Sequence, residues 1–389
     1  MLEARANHLS VRAADMLARA EQLAPVLMSR AQDAEKLRRC PDATVADLDA
    51  SELLRACQPF AYGGYEMGYD VLCGIIQRLA RGCASQAWVY MVLADNPLKL
   101  ANFSQQAQND VWGENPRTRL GVAVAAVGRA VRVEGGVLWY GEHGFCSGVD
   151  HADWIMCGGA IEGGDKPEGC MVLIPKSDVV LADDWHTIGL AGTGSRSFEV
   201  KGAFVPHHRI ISKADYDAGT APGSNLYQSP IYKMPRGGVS AGSYAAVAIG
   251  AAQGMLESFY QFTAPRKSRG KTVADNAAAQ MVAGLASAEI EAAERMYMGS
   301  LRETMEVLER GEPVSQELQL AGKRNCCFAA QLAMQAAHRM FNCAGGRALF
   351  LDNPMQRQFR DVFAASAHHS LSWDSASAEY GRHQYKMHA

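Results

Sequence analysis

The sequence lacks the patterns that mark several large classes of protein. No run of lysine and arginine with interleaved aromatic residues occurs, and 38 basic against 41 acidic side chains leave a formal charge of -3. This balance does not favour binding to nucleic acid or to an acidic membrane surface. No Gly-x-Gly-x-x-Gly follows a predicted strand, and no Walker A motif is present. The chain therefore has no visible nicotinamide-dinucleotide site and no P-loop.

The cysteines and the longest uncharged run give no sign of export or of a membrane anchor. The ten cysteines include no Cys-x-x-Cys pair and no zinc-type spacing, which is typical of free thiols in a reducing cytosol. The N-terminus has a helical pattern with charges rather than a signal peptide, so we expect a cytoplasmic protein. Residues 239–256 carry no charge but are rich in Ala, Gly and Ser. They predict a tightly packed core or subunit-interface helix rather than a membrane span.

The pattern of the 389 residues changes twice along the chain. Residues 1–115 have apolar residues at helical spacing, residues 116–211 have short Val-rich and aromatic runs between glycines, and residues 212–389 are helical again. We predict an α+β fold with an N-terminal helical domain, a central β-sandwich or barrel domain and a C-terminal four-helix bundle. The predicted helices are 13–34, 51–56, 69–94, 105–112, 238–263, 275–310, 315–344 and 361–380. The predicted strands are 120–127, 130–134, 137–140, 154–158, 170–175 and 198–204.

The most distinctive local stretch is a glycine-rich loop. Residues 189–195 read Gly-Leu-Ala-Gly-Thr-Gly-Ser and precede an alternating, half-buried strand. Three glycines let the backbone approach a flat or anionic ligand closely, and Thr193 and Ser195 bring hydroxyl groups. Taken alone, the loop is better explained as a hairpin turn without a ligand.

The loop is one of six motifs that stand in a recognisable order. They are Pro-Phe-Ala-Tyr-Gly-Gly at 59–64, Phe-Cys-Ser-Gly at 145–148 with Ala-Asp-Trp at 152–154, the glycine-rich loop with Phe-Val-Pro at 204–206, Arg-x-x-Arg-Gly at 266–270, Asn-x-x-Gly-Gly at 342–346, and Arg-Asp, Ala-His and Trp-Asp at 360–361, 367–368 and 373–374. Over essentially the whole chain, this order resembles the acyl-CoA dehydrogenase superfold. More closely, it is similar to the oxygenase components of two-component flavin-dependent monooxygenases, the p-hydroxyphenylacetate and seco-steroid hydroxylase type.

The resemblance implies a reaction and its partners. A separate reductase would supply reduced flavin, FMNH2 or FADH2, by diffusion. O2 would be the co-substrate, and a C4a-hydroperoxide of the flavin would hydroxylate an aromatic, phenolic substrate. The superfold is usually a homotetramer whose flavin sites are completed by a neighbouring subunit.

The resemblance also implies a flavin site. Ser147 is the candidate hydrogen-bond partner of flavin N5, beside Phe145, Thr193 and Ser195; the alternative is a serine at a strand end bonded to backbone. Arg266, with Arg269 as the second choice, is expected at the flavin phosphate, although this basic stretch is also typical of a solvated loop. Gly345 and Gly346 would approach the phosphate through backbone N–H groups, or form only a helix C-cap.

The resemblance further implies a substrate side of the site. His368 is the candidate base for the phenol, because histidine titrates in the required range, and the adjacent His369 is the alternative. On a helix the two would point about 100° apart, so only one could face the pocket. Trp88 and Trp373 are expected to line an aromatic pocket, or to be core residues. Asn96 stands where related hydroxylases can place a substrate-facing histidine.

Departures from the family pattern keep further functions open. His143 replaces a common tryptophan, and Arg196-Ser197 replaces a commoner pair after the glycine-rich loop. An acyl-CoA-dehydrogenase-like enzyme would need a carboxylate base, for which the C-terminal region offers Asp361, Asp374 and Glu379 but no Tyr-Glu-Gly. An N- or S-oxygenating relative and a helical oligomer that only binds are also compatible with the pattern.

Overall fold

The N-terminal part of the chain consists of six helices in the computed structural model, which describes residues 2–163, 166–235, 237–268 and 271–388. Short 3-10 turns at Leu53–Arg55 and Phe60–Tyr62 lie in the connection that was predicted as helix 51–56 and a following loop. The helices are α1 (Leu2–Ser29), α2 (Ala31–Leu37), α3 (Asp42–Ala50), α4 (Tyr69–Gly82), α5 (Ala84–Leu100) and α6 (Gln105–Trp112).

The predicted single helix 69–94 is wrong, because the chain breaks at Cys83. Cys83 adopts an extended conformation with φ -160° between α4 and α5. The break follows a Gly82 whose missing side chain lets it pack against α1, since a Cβ there would lie 2.0 Å from the carbonyl oxygen of Ala24. Beyond the break, α5 continues through Pro97 to Leu100 rather than ending near Asp95. Tertiary burial of α5 overrides the local stop signal.

Seven strands form one continuous sheet in the middle of the chain, where a sandwich or barrel was expected. Their order is β5-β6-β2-β1-β3-β4-β7; β1 and β3 are parallel, and the other neighbours are antiparallel. The strands are β1 (Leu120–Val133), β2 (Gly136–Cys146), β3 (Trp154–Glu162), β4 (Glu168–Pro175), β5 (Val179–Leu181), β6 (Arg196–Pro206) and β7 (Ile210–Ser212).

The two strands predicted within 120–134 are a single irregular strand. Register shifts interrupt the β1–β3 ladder around Ala123 and Gly128. At Gly128 the indole ring of Trp139 occupies the space of a side chain, because a Cβ there would lie 2.1 Å from the Trp139 ring. Such a bulge looks like a turn in the sequence, although the chain continues as a strand.

The C-terminal part is again helical. A short hairpin, β8 (Lys267–Ser268) and β9 (Lys271–Thr272), separates the second and third helices. The helices are α7 (Lys213–Ala218), α8 (Gly242–Thr263), α9 (Ala277–Glu309), α10 (Gln316–Ala344), α11 (Pro354–Ser366) and α12 (Trp373–Met387).

Helix α8 is the uncharged helix expected from the sequence, and it packs inside the protein. The segment Gly238–Thr263 is long and apolar enough to cross a membrane, but 78% of its most apolar stretch is buried. Gly250 and Gly254 lie directly against α4, since Cβ atoms there would be 2.2 Å and 2.1 Å from the carbonyl oxygens of Gln77 and Arg81. The small residues therefore serve close helix packing in the core, one of the two roles expected for this run.

The predicted helix 361–380 is wrong, because two helices share this segment. Asn353 caps α11 by accepting a hydrogen bond from the Met355 amide, and Pro354 occupies the first helical position. The helix ends at Ser366, and α12 begins only at Trp373. His368 therefore lies in the turn between two helices, so helix geometry does not set its direction relative to His369.

Candidate functional site

Ser147 lies in a tight turn at the end of β2. The residue two positions earlier, Phe145, has φ +57°, a backbone conformation that costs energy for a residue with a side chain, and its ring is 79% exposed. The Ser147 amide donates to the Phe145 carbonyl oxygen at 3.0 Å, and the Gly148 amide donates to the Thr193 carbonyl oxygen at 3.0 Å. The turn is thereby pinned to the glycine-rich loop, with an aromatic ring held outward beside a hydroxyl.

A chain of hydroxyl groups links this turn to the loop. Ser147 Oγ lies 2.7 Å from Ser195 Oγ, which lies 2.7 Å from Thr193 Oγ1. Thr193 Oγ1 donates to the carbonyl oxygen of Leu190 at 2.8 Å. At the other end, the indole Nε1 of Trp88 donates to Ser147 Oγ at 3.0 Å. Four residues predicted from three separate stretches of sequence are thus brought into one network.

Aromatic rings from distant parts of the chain pack beside Ser147. The imidazole of His368 stacks on Tyr244 with ring centres 4.1 Å apart, and it meets Trp88 edge-on at 5.5 Å. Trp88 also contacts Tyr244, with ring centres 5.4 Å apart. Helix α5, the first turn of α8 and the turn before α12 therefore bring the rings of Trp88, Tyr244 and His368 together into a largely apolar aromatic wall.

The environment of His368 fixes its protonation. Burial, and to a lesser extent the neighbouring His369, lowers the pKa of His368 to about 4. The ring is neutral near pH 7, and its Nδ1 accepts a hydrogen bond from the Ser370 amide at 3.3 Å. Because a neutral imidazole carries one hydrogen, that hydrogen is on Nε2. The exposed partner, His369, contacts the His368 ring at 4.3 Å between ring centres.

Residues without a predicted role at the site anchor the glycine-rich loop. Trp185 donates from Nε1 to the Leu190 carbonyl oxygen at 3.2 Å and meets the Phe145 ring edge-on at 6.0 Å. Arg360 donates to the Ile188 carbonyl oxygen and pairs with Glu35 at 2.6 Å. Trp185 lies only four residues before the loop, which is the one signal that could have suggested it. Tyr244, on a helix far along the chain, has no such signal.

Asp361 is a structural anchor of the same loop. Its carboxylate is 4% exposed and accepts a hydrogen bond from the Leu190 amide at 2.7 Å. Burial raises the pKa of Asp361 to about 6. Leu190 itself has φ +51°, so the carboxylate holds a strained residue in place. One of its two oxygens is therefore held by the loop backbone, which argues against Asp361 as the carboxylate base.

Two of the residues predicted for the substrate side are engaged with other parts of the protein. The Asn96 side chain is 2% exposed; its Nδ2 donates to the Leu120 carbonyl oxygen at 2.6 Å, and its Oδ1 accepts from Lys99 at 3.1 Å. Trp373 begins α12 and packs on Phe328 of α10, with ring centres 5.2 Å apart. Their predicted contact with substrate stays a prediction.

Arg266, Gly345 and Gly346 form a second group beyond the other end of α8. Arg266 Nη1 donates to the Ala344 carbonyl oxygen at 2.7 Å, and its guanidinium lies 4.6 Å from the centre of the Phe262 ring. A Cβ on either glycine would meet nothing within 4 Å, so this backbone faces open space. Arg269, the second choice for the phosphate, lies outside the described residues. Tyr244 and Thr263 are nineteen residues apart on α8, or about 29 Å at the rise of an α-helix.

Comparison with known proteins decides the family. Residues 243–373 match the family described as acyl-CoA dehydrogenase, C-terminal domain. The flavin-dependent monooxygenase oxygenase subunit HsaA of Rhodococcus jostii (strain RHA1) is 33% identical over 373 residues, which cover 95% of this chain and 98% of that protein. The chain belongs to this family of monooxygenase oxygenase subunits. The predicted family, fold and class of enzyme are thereby confirmed.

Other relatives of the oxygenase agree in fold and in chain length. The FADH(2)-dependent resorcinol hydroxylase, oxygenase component, of Rhizobium sp. (strain MTP-10005) is 29% identical over 94% of this chain and 93% of that protein. The crystal structure of 3-HSA hydroxylase from Rhodococcus sp. RHA1 superposes with a TM-score of 0.91 at 32% identity, covering 96% of this chain and 97% of the other. XiaF from Streptomyces sp., solved in complex with FADH2 and glycerol, has a TM-score of 0.89 at 26% identity and covers 96% of both chains.

The residues at the site of the oxygenase suit a flavin ring. A flat tricyclic ring needs apolar faces and a small number of polar groups at its edge. Phe145, Trp88 and the stacked pair of Tyr244 and His368 supply rings, and Ser147 supplies one half-buried hydroxyl among them. Arg266 and open glycine backbone are a suitable donor set for a phosphate, but they lie far along α8 from the aromatic wall.

Proposed function

We propose that this oxygenase hydroxylates a phenolic substrate, using O2 and reduced flavin delivered by a separate reductase. The observation that carries the proposal is the hydrogen bond of Trp88 to Ser147 beside the stacked His368. It places a hydroxyl suited to a flavin ring nitrogen, that of Ser147, next to an imidazole suited to a substrate oxygen, that of His368. When bound, reduced flavin supplies the electrons that activate O2. The resorcinol hydroxylase and the FADH2 complex of XiaF support the aromatic substrate class and the reduced cofactor.

The chain's own residues would hold the flavin ring and keep water from it. Ser147 would hydrogen-bond the edge of the ring at N5, and Phe145 would pack against it from its exposed position. The energy stored in the left-handed backbone of Phe145 is consistent with a functional position, since such strain persists only where the surroundings enforce it. Thr193 and Ser195 hold Ser147 in place from behind.

His368 would act on the substrate oxygen as a hydrogen-bond donor. The ring is neutral and carries its hydrogen on Nε2, because Nδ1 accepts from the Ser370 amide. A donor at this point stabilises a phenolate oxygen and so favours the electron-rich form of the substrate. The role predicted from the sequence, a base that accepts the phenol proton, would require Nδ1 to release its backbone partner and would leave the ring doubly protonated.

A flavin dehydrogenase of the acyl-CoA type has less support. That reaction needs a carboxylate base at the flavin, and Asp361 is bound to the Leu190 amide. Glu379 pairs with Lys323 at 2.8 Å, and Asp374 is exposed in the first turn of α12. An N- or S-oxygenating activity would use the same ring site but would depend less on His368.

The assembly we propose is a homotetramer in which Arg266, Gly345 and Gly346 serve a neighbour's flavin. They lie beyond the C-terminal end of α8, and Thr263 at that end is about 29 Å along the helix from Tyr244 of the aromatic wall, much farther than a ribityl chain and phosphate reach. The segment that follows these glycines exposes Leu349, Phe350 and Leu351 by 65%, 65% and 78%, as expected of a surface that a partner covers. The ten unpaired thiols support a cytoplasmic, reducing location.

The test compares Ser147→Ala with Ser177→Ala, a variant of an exposed serine on the same domain. Each protein receives FMNH2 or FADH2 anaerobically, then O2 and a panel of phenols, and hydroxylated product and H2O2 are measured. Loss of the Ser147 hydroxyl should shift the reaction from product to H2O2 by about tenfold, the effect of one strong hydrogen bond. Tight binding of oxidised flavin that an acyl-CoA thioester bleaches without O2 would instead establish the dehydrogenase.

A further inference from the structure

The hydrogen positions along the chain of hydroxyl groups are fixed from its buried end, where Thr193 meets the Leu190 carbonyl. The Leu190 carbonyl oxygen can only accept, and it takes donors from the Thr193 amide, the Trp185 indole and the Thr193 hydroxyl. The hydroxyl contact is the shortest of the three, at 2.8 Å. Two oxygens this close repel unless a hydrogen lies between them. The single hydrogen of Thr193 Oγ1 therefore points at Leu190.

Each following hydroxyl then has only one arrangement. Since the hydrogen of Thr193 is used, the 2.7 Å contact to Ser195 must be donated by Ser195. Since the hydrogen of Ser195 is then used, the 2.7 Å contact to Ser147 must be donated by Ser147. Thr193 and Ser195 are 1% and 4% exposed, so the surroundings do not offer bulk water as a substitute partner.

The outer end of the chain leaves Ser147 with one specific capacity. The Trp88 indole is a donor only, and it occupies one lone pair of Ser147 Oγ at 3.0 Å. The hydrogen of Ser147 is directed back at Ser195. What remains is one lone pair on a half-buried oxygen, so Ser147 accepts a hydrogen bond from a ligand but has none to give.

We infer that this ordered chain selects the redox state of the bound flavin. The inference rests on the proposed function, in which Ser147 lies at N5 of the ring. In reduced flavin N5 carries a hydrogen and can donate to Ser147; in oxidised flavin N5 is a bare acceptor that faces another acceptor. Thr193 and Ser195 are thus positioning residues that make the site bind reduced flavin more tightly than oxidised flavin. The contact of two acceptors, oxidised N5 and Ser147 Oγ, also promotes release of oxidised flavin, which a reductase must take up again.

The test measures the dissociation constants of reduced and oxidised FMN and FAD for each variant by anaerobic titration. In Thr193→Val, Ser195 loses its acceptor and turns its hydrogen to Ser147, which frees the hydrogen of Ser147 for oxidised N5. The ratio of the oxidised to the reduced constant should fall at least tenfold, equivalent to about 30 mV in the potential of a two-electron couple. Ser195→Ala should lower the ratio too, because Ser147 is then free to turn. Thr193→Ser, which restores the hydroxyl, should return the ratio to that of the wild type.

Thr187→Val is the matched control, because Thr187 also donates to a carbonyl oxygen of this loop, that of Gly189 at 3.0 Å, but has no link to Ser147. An unchanged ratio in both Thr193→Val and Ser195→Ala, with a lowered ratio in Ser147→Ala, overturns the inference and leaves the proposed site intact. An unchanged ratio in Ser147→Ala as well means that Ser147 is not at N5, and the proposed placement of the flavin fails. An equal fall of the ratio in Thr187→Val would show that loosening of the loop causes the effect, and it also overturns the inference.

Discussion

Acid should destabilise this protein through one buried histidine, and replacing His143 with Phe should remove that effect. His143 lies in β2, 1% exposed, between the rings of Trp139 and Phe198 at 6.2 and 5.0 Å. Neither ring nitrogen has a hydrogen-bond partner within the part of the chain that the structure describes. A charged imidazole there would lose its hydration without compensation, and burial lowers the pKa of His143 from 6.5 to about 4.

The direction and size of this change in stability follow from proton binding to His143 in the folded and unfolded chains. Above pH 6.5 neither the folded nor the unfolded chain binds a proton at this residue; below it, the unfolded chain does and the folded chain resists until about pH 4. Stability is therefore lost as pH falls from 6.5 to about 4. At ~1.36 kcal/mol for each pKa unit, the full loss is about 3.4 kcal/mol, of which about 2 kcal/mol has occurred at pH 5.

The assay is guanidinium unfolding of wild type and His143→Phe at one protein concentration from pH 8 to pH 5. Other titrating groups, His368 included, are the same in both proteins and cancel in the difference. We expect the variant to be at least as stable at pH 8, since two unpaired polar atoms are gone, and to gain about 2 kcal/mol relative to wild type at pH 5. His207→Gln, which removes an exposed histidine, is the control. If the free energies of unfolding of wild type and His143→Phe change with pH in parallel across this range, the buried neutral state of His143 is refuted.

Two further changes separate the two groups of flavin residues. Phe145→Gly should raise the stability of the fold by about 1 kcal/mol, because glycine adopts the left-handed backbone freely, and should weaken flavin binding. Thermal melting measures the first effect and flavin titration the second. A loss of stability would contradict the proposed strain at Phe145. Arg266→Gln should weaken binding of FMN at least tenfold but leave riboflavin, which lacks the phosphate, unchanged. Equal weakening of both ligands would show that Arg266 acts on the structure rather than on the phosphate.

The sequence predicted best those parts of the site that lie in local motifs. Ser147, Thr193 and Ser195 stand in short turns whose glycines and hydroxyls are visible in the sequence, and the structure joins them at 2.7 Å. Tyr244 could not be predicted in the same way, and Arg360 was visible only as part of a motif without a role, because each reaches the site from a helix whose local pattern is that of an ordinary amphipathic or buried helix. Their role arises only when distant elements pack together.

The wrong helix boundaries have the same origin. The break at Cys83 and the turn from Ala367 to Ser372 contain no proline, and their residues fit a helical pattern as well as their neighbours do. At the first, Gly82 packs closely on the Ala24 carbonyl of α1, a contact that local sequence does not reveal. At the second, the His368 side chain accepts from the Ser370 amide and so satisfies a backbone group that a continued helix would have used. A side chain predicted to lie on a helix face was therefore found in a turn, where it could join the aromatic wall.

The position of Leu190 depends on all three parts of the chain. A Cβ on Gly189 would lie 2.1 Å from the Arg360 carbonyl oxygen of α11, and one on Gly192 would lie 3.0 Å from the Ala34 side chain of α2. The Arg360–Glu35 ion pair joins these two helices around the loop, and the loop in turn accepts a hydrogen bond from Gly148 in the turn that follows β2. Neither helix can shift relative to the sheet without moving the Leu190 carbonyl, from which the hydrogens of Thr193, Ser195 and Ser147 are ordered. The packing that stabilises the fold is thus also what determines whether Ser147 donates or accepts.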